Sequence, residues 1–222
     1  MSGELAISTL DAPITDRAIG ELASVLVDCV TGGASVSFMA PLSQEDALSF
    51  FRKVAASVAA GDTAPLAARL DGRIVGTVQL GLDTPPNQPH RADVKKMLVH
   101  RSARGRGIGA ALMAEVEQEA KRRGRWLLVL DTVPGESGYR LYKRAGWTES
   151  GIIPNYALFP DGRLCDTALF WKRLDWIASS KHSLSSRSSE CNERRTWTHK
   201  PQADVAASIG TTNHRKNDRL WS

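Results

Sequence analysis

No apolar run in the 222-residue chain approaches the roughly 20 residues that a membrane-spanning helix needs. Cysteine is scarce. Cys29, Cys165 and Cys191 are far apart and odd in number, with no metal-ligand pairing and no disulfide framework. That usage suits a reducing compartment. The start, Met1-Ser2-Gly3-Glu4-Leu5, lacks the basic residues and apolar stretch of a signal peptide, so the cytoplasm is the expected location. No internal repeat is present. His90 and His100 lack metal-ligand spacing, and no metal site is expected.

What is there suits one globular domain with a real core. The apolar share is 42% and the charged share 24%, both ordinary for a folded protein. The net charge is +5, and much of the excess falls near the end, in Lys181, Arg187, Arg194, Arg195, Lys200, Arg215, Lys216 and Arg219. Residues 175–222 therefore read as a polar, basic tail expected to be disordered, and residues 1–174 as the domain. The tail has no regular aromatic interleaving for base stacking, so a nucleic-acid partner is not expected.

Periodicity divides the domain into seven strands and four helices. A short strand over Leu5–Leu10 precedes a helix capped by Thr15 or Asp16, with Ile19, Leu22, Ala23, Leu26 and Val30 on one face. A second helix starts at Ser43, with Asp46 three residues on, and stops at Gly61. Pro65–Leu70 and Arg73–Leu82 read as strands joined at Asp71-Gly72. Ala92–Val99 is a further strand. It feeds Arg104-Gly105-Arg106-Gly107-Ile108-Gly109, which opens a helix with Ile108, Leu112, Met113, Val116 and Ala120 inward. Trp126–Leu130 is a continuous apolar run, expected to be a strand buried on both faces. A short helix from Pro134 to Gly146 and two strands, Glu149–Leu158 and Leu164–Leu174, complete the set.

The turn at 104–109 carries the chemical signal. Glycines admit positive φ and let a ligand approach where a Cβ would stand in the way. Free N–H groups at a helix start, with the dipole behind them, favour an anion. Arg104 and Arg106 add positive charge, so the turn predicts a phosphate or pyrophosphate site. It is not a nucleotide P-loop, because the final Gly-Lys-Ser/Thr is missing. Nor do Gly105, Gly107 and Gly109 fit the dinucleotide fingerprint.

Arg104-x-x-Gly107-x-Gly109 after Met97-Leu98-Val99, then a buried strand and Tyr142-x-x-x-Gly146-Trp147, resembles the GNAT superfamily of N-acetyltransferases. The resemblance covers about residues 5–174. It implies an α/β (α+β) fold, with a mixed, mostly antiparallel twisted sheet of six to seven strands flanked by about four helices. It implies acetyl-CoA as co-substrate, its pyrophosphate held by Arg104, Gly105, Arg106, Gly107, Ile108 and Gly109. It implies a backbone N–H at Leu98 or Val99, on a bulged strand, for the acetyl carbonyl. It implies Tyr142 as general acid. A phenol of pKa about 10 matches a thiolate of similar basicity, although Tyr142 is also spaced for packing. Many members place Asn where this chain has Gly135.

A closer resemblance, to tabtoxin-resistance acetyltransferases, lies in Gly32–Met39, Leu130-Asp131-Thr132 and Pro160-Asp161-Gly162-Arg163-Leu164. It implies acetylation of an amine-bearing toxin or antibiotic. Asp131 ends the apolar strand. It is a candidate base, acting directly or through water, a candidate anchor for a cationic substrate, or a cap for the following turn. Lys95 and Lys96 are expected to be solvated or to touch loops. A non-catalytic acyl-CoA-binding module and an enzyme for protein or peptide amines are the alternatives, and a homodimer is left open.

Overall fold

The computed structural model describes residues 4–175. The tail, apart from Asp175, lies outside the described residues, as do Cys191 and the histidines at 182, 199 and 214. Among the described residues no helix is long and apolar enough to cross a membrane.

The elements run β1 (Leu5–Thr9), α1 (Asp16–Thr31), α2 (Gln44–Ala60), β2 (Thr63–Leu70), β3 (Arg73–Gly81), β4 (Arg91–Val99), α3 (Ile108–Arg122), β5 (Leu127–Thr132), α4 (Ser137–Arg144), β6 (Thr148–Leu158) and β7 (Leu164–Arg173). Local chemistry sets most boundaries. The Thr15 hydroxyl accepts the Ala18 N–H and starts α1. The Ser43 hydroxyl accepts the Asp46 N–H at 3.0 Å and donates to the Asp46 carboxylate at 2.6 Å, starting α2. Gly61, at φ 84°, ends it. Asp71 and Gly72 both take positive φ, 50° and 76°, as a two-residue hairpin turn matched to strand twist requires. The last short helix begins later than its sequence predicts, because Gly135 takes φ 77° and α4 can start only beyond it.

The seven strands form one sheet in the order β1-β2-β3-β4-β5-β7-β6. Only β4 and β5 run parallel, and α3 is the crossover between them. Helices α1 and α2 cover one face, where Leu22, Leu26, Phe51, Ala67 and Leu98 pack together. Helices α3 and α4 cover the other, with Val78, Ile108, Leu112, Leu128, Tyr142 and Phe170. Strand β5 corrects the expectation of burial on both faces. Leu128 and Leu130 are buried, whereas Leu127 and Val129 are half-buried. Trp126 precedes the strand and stacks on His90, ring centroids 4.5 Å apart.

One irregularity shapes the rest. Gln79 pairs with Lys95, and Thr77 with Leu98, so β4 carries an extra residue there. Lys96 takes the strain at φ 54°. A bulge bends its strand. Register between β4 and β5 holds only from Arg91↔Leu127 to Asp93↔Val129, after which the two strands part.

Candidate active site

The parting strands open a cleft of about 870 Å³. Its floor on the α3 side is the glycine turn. Gly105 and Gly107 take φ 77° and 76°, so both stand in the left-handed region that suits glycine. Gly107 is also the N-cap of α3 and offers no side chain to the first turn. The first backbone bond accepted there is from Ala111 N–H to Gly107 O, at 3.0 Å. The N–H groups of Ile108, Gly109 and Ala110 thus lie in the uncapped first turn. A Cβ on Gly109 would sit 3.2 Å from Leu141 Cδ2, so this glycine also lets α3 and α4 approach.

Arg104 lines the cleft and braces the turn. Its Nε donates to Val99 O at 3.1 Å, and its guanidinium reaches the buried Cys29 Sγ at 3.9 Å. Burial pushes the Cys29 thiol up, against the pull of Arg104, so it stays protonated at neutral pH. Arg106 differs from Arg104: it is exposed and does not line the cleft. Just before the turn, Asp28 on α1 accepts the Arg101 N–H at 2.7 Å and the Arg101 guanidinium at 2.9 Å. Burial would raise Asp28, but these bonds hold it below the usual carboxylate range.

The two candidate residues of β4 face different ways. His100 N–H donates to Val75 O on β3 at 2.8 Å. Backbone direction alternates along an antiparallel ladder, so Leu98 turns its polar groups to β3, while those of Val99 turn away. Leu98's side chain is buried under α1. Val99 is thus the one whose N–H points toward the opening.

Tyr142 enters from α4. It is 6% exposed, with its ring 6.1 Å from both Trp147 and Phe170. Gly138 makes room for it: a Cβ there would lie 3.5 Å from the tyrosine ring and 3.3 Å from Thr132 Oγ1. Burial pushes the phenol above its ordinary value, and the Asp131 charge pushes it further. Asp131, exposed on β5 opposite Leu169, lines the same cleft.

Lys96 touches a loop, as expected: the bulge turns it into the cleft, where its Nζ donates to Ser37 Oγ at 2.9 Å. Lys95, exposed as expected, lines the same cleft. What escaped sequence reasoning is how the roof is tied. The α1–α2 loop and the β6–β7 hairpin are tied by Ser35 Oγ to Leu158 O at 2.9 Å and by Ala40 N–H to Pro160 O at 3.0 Å. Partners 123 residues apart leave no periodic signal. Among the described residues no group of His, Cys, Asp or Glu could hold a metal ion.

The family model of the acetyltransferase (GNAT) family matches residues 35–147, and the chain belongs to that family. The sheet, the parallel β4–α3–β5 unit and the splay carry its fold. One curated relative, named an IAA acetyltransferase, from Azospirillum brasilense, is 33% identical over 96 residues. That match spans 43% of this chain and 61% of the relative's length. Among solved structures, an N-acetyltransferase from Staphylococcus aureus superposes with TM-score 0.65 at 18% identity, covering 78% of this chain and 99% of that one. A ribosomal-protein-alanine N-acetyltransferase from Brucella melitensis gives 0.65 at 23% identity, over 76% and 99%. An acetyltransferase from Salmonella typhimurium, solved with its cofactor acetyl-CoA, gives 0.63 at 18% identity, over 81% and 99%.

Acetyl-CoA is the family's co-substrate, and the residues present fit it. The first-turn N–H groups suit a pyrophosphate, glycine at 105, 107 and 109 keeps side chains out of its way, and the splay admits a narrow chain.

Proposed function

We propose that this chain is an acetyl-CoA-dependent N-acetyltransferase acting on a small amine-bearing molecule. The reading rests on one observation: Tyr142 and Asp131 line the same cleft as Arg104, Gly105, Gly107 and Gly109. An acid, a base and an anion turn therefore share one space.

Acetyl-CoA supplies the activated acetyl thioester. Arg104 and the N–H groups of the α3 first turn hold its pyrophosphate, and the Val99 N–H donates to the acetyl carbonyl. Asp131 accepts a proton from the substrate ammonium, directly or through one water, or anchors that ammonium. Tyr142 Oη gives its proton to the departing sulfur as the amine nitrogen bonds to the acetyl carbon. The raised pKa of Tyr142 keeps the phenol loaded. Part of that elevation comes from the Asp131 charge.

The substrate class proposed is a toxin or antibiotic amine, as in the tabtoxin-resistance enzymes. Of the segments that carry that resemblance, Gly32–Met39, Asp131 and Thr132 lie along the cleft, and Pro160 ties down its roof. The test is thiol release from acetyl-CoA against amine-bearing β-lactams, aminoglycosides, polyamines and peptide N-termini. Saturable turnover of small amines is expected. Turnover confined to peptides would move the substrate to protein amines. Tight acetyl-CoA binding with no acceptor at all would leave a non-catalytic binding module.

A further inference from the structure

Lys96 is a cation of the cleft that this mechanism leaves unused, and unlike Lys95, which is exposed, it is partly buried. Its backbone stands at φ 54°, uncommon for a residue with a side chain, at the bulge that opens the splay. The side chain leans to the α1–α2 side. The ammonium donates to Ser37 Oγ at 2.9 Å and lies 5.7 Å from the Phe38 ring centroid. Phe38 in turn packs edge-on against Phe50 of α2 at 5.2 Å. This is the sheet face opposite α3 and its pyrophosphate turn, so Lys96 faces the acceptor rather than the phosphates.

An ammonium has three donors, and the Ser37 hydroxyl takes one. Burial pushes Lys96 below the ordinary lysine range. The Asp131 charge pulls it part of the way back, and neighbouring Lys95 lowers it again. Among the described residues Lys96 and Asp131 share the cleft without forming a direct ion pair. A poorly solvated cation with donors to spare gains most from an anion brought by the ligand.

We propose that Lys96 sets acceptor specificity by binding a carboxylate, so that the substrate is a zwitterion of the amino-acid type, its ammonium at Asp131 and its carboxylate at Lys96 and Ser37. The inference rests on the acceptor site proposed above. With such a ligand the charges alternate along the cleft: Lys96 cation, carboxylate, ammonium, Asp131 anion. Every one has an opposite neighbour. An amine without a carboxylate instead brings a second cation toward Lys96 and no anion to pair with it.

The experiment compares matched acceptors by thiol release: free amino acids and β-lactam amino acids, each against its methyl ester. It uses the full chain and the variants Lys96→Met and Lys96→Arg, with acetyl-CoA affinity by calorimetry as the control for folding and donor binding. The wild type should favour the free carboxylate in kcat/KM by tenfold or more. Lys96→Met should erase that preference through a tenfold or greater rise in KM for the free acids. It should leave the esters and acetyl-CoA affinity within about threefold, and Lys96→Arg should recover part of the preference. Equal or better wild-type turnover of the esters would overturn the proposal while leaving the acetyltransferase reading intact. So would a large loss of acetyl-CoA affinity in Lys96→Met with Lys96→Arg normal, since Lys96 would then serve the donor. No turnover of any amine, with acetyl-CoA still bound, would overturn both readings together.

Discussion

The Ser35 hydroxyl donates to the carbonyl of Leu158 at 2.9 Å, joining the α1–α2 loop to the end of β6. With the Ala40–Pro160 backbone bond it fixes the roof of the acceptor side. A hydrogen bond of this kind contributes about 0.5–1.5 kcal/mol net. Ser35→Ala should therefore raise acceptor KM by a few-fold and leave acetyl-CoA affinity unchanged. Steady-state kinetics with the two substrates varied separately checks this. An equal loss for both would show that the bond supports the whole fold instead.

Gly107 holds φ 76° directly at the start of α3. A side chain in that conformation costs roughly 1–2 kcal/mol, and a branched one projects over the open N–H groups. Gly107→Val should weaken acetyl-CoA binding by at least about tenfold. Thermal stability should fall by only the strain at one residue. Calorimetry against a melting curve separates the two effects, and unchanged affinity would remove the pyrophosphate from this turn.

Tyr142→Phe keeps the ring between Trp147 and Phe170 and deletes only the proton. General acid catalysis typically contributes about a hundred- to ten-thousand-fold, so kcat should fall in that range with KM for acetyl-CoA little changed. The pH dependence follows from the direction of the shift. Folded Tyr142 loses its proton only above the ordinary tyrosine value of 10, so wild-type kcat should show no alkaline loss from this group below that pH. Asp131→Asn removes one of the two causes and should bring the tyrosine ionisation down, though burial keeps it raised. Spectrophotometric titration of tyrosinate in the two proteins tests this.

Glu119 on α3 is nearly buried and accepts from Arg123 at 2.6 Å and Arg122 at 2.8 Å. Burial alone would raise it, yet the two guanidinium groups hold it below its ordinary 4.5. A lowered folded value means stability that is fully present above about pH 4.5 and lost as pH falls through the folded pKa. Glu119→Gln should thus destabilise by about 1–2 kcal/mol at neutral pH, both arginines being partly exposed to solvent. The gap from wild type should close in strongly acid solution. Urea unfolding at the two pH values measures it.

Much of this molecule could be read before folding because its signals are local. Thr15, Ser43, Gly61 and Asp71-Gly72 mark boundaries through bonds and dihedrals that span only a few residues. The glycine turn from Arg104 to Gly109 and the helix it opens were legible likewise, since they are made of consecutive residues. Burial was harder to read. The run Trp126–Leu130 is apolar throughout, but only one face of β5 is fully covered, because β4 leaves it after Val129.

Sequence alone determined the elements, the likeness to a family, and the glycine turn that opens α3, for each depends on neighbours along the chain. Tertiary structure alone decided which residues share the cleft. It turned Lys96 inward and left Arg106 outside. It separated Val99 from Leu98 by ladder direction, and it brought Asp131 into one cleft with Tyr142 and Lys96. For Lys96 and Val99 the cause is the single extra residue in β4. A bulge reverses which way each following side chain and amide points, and its position is fixed by pairing with β3, a partner that periodicity within β4 does not encode.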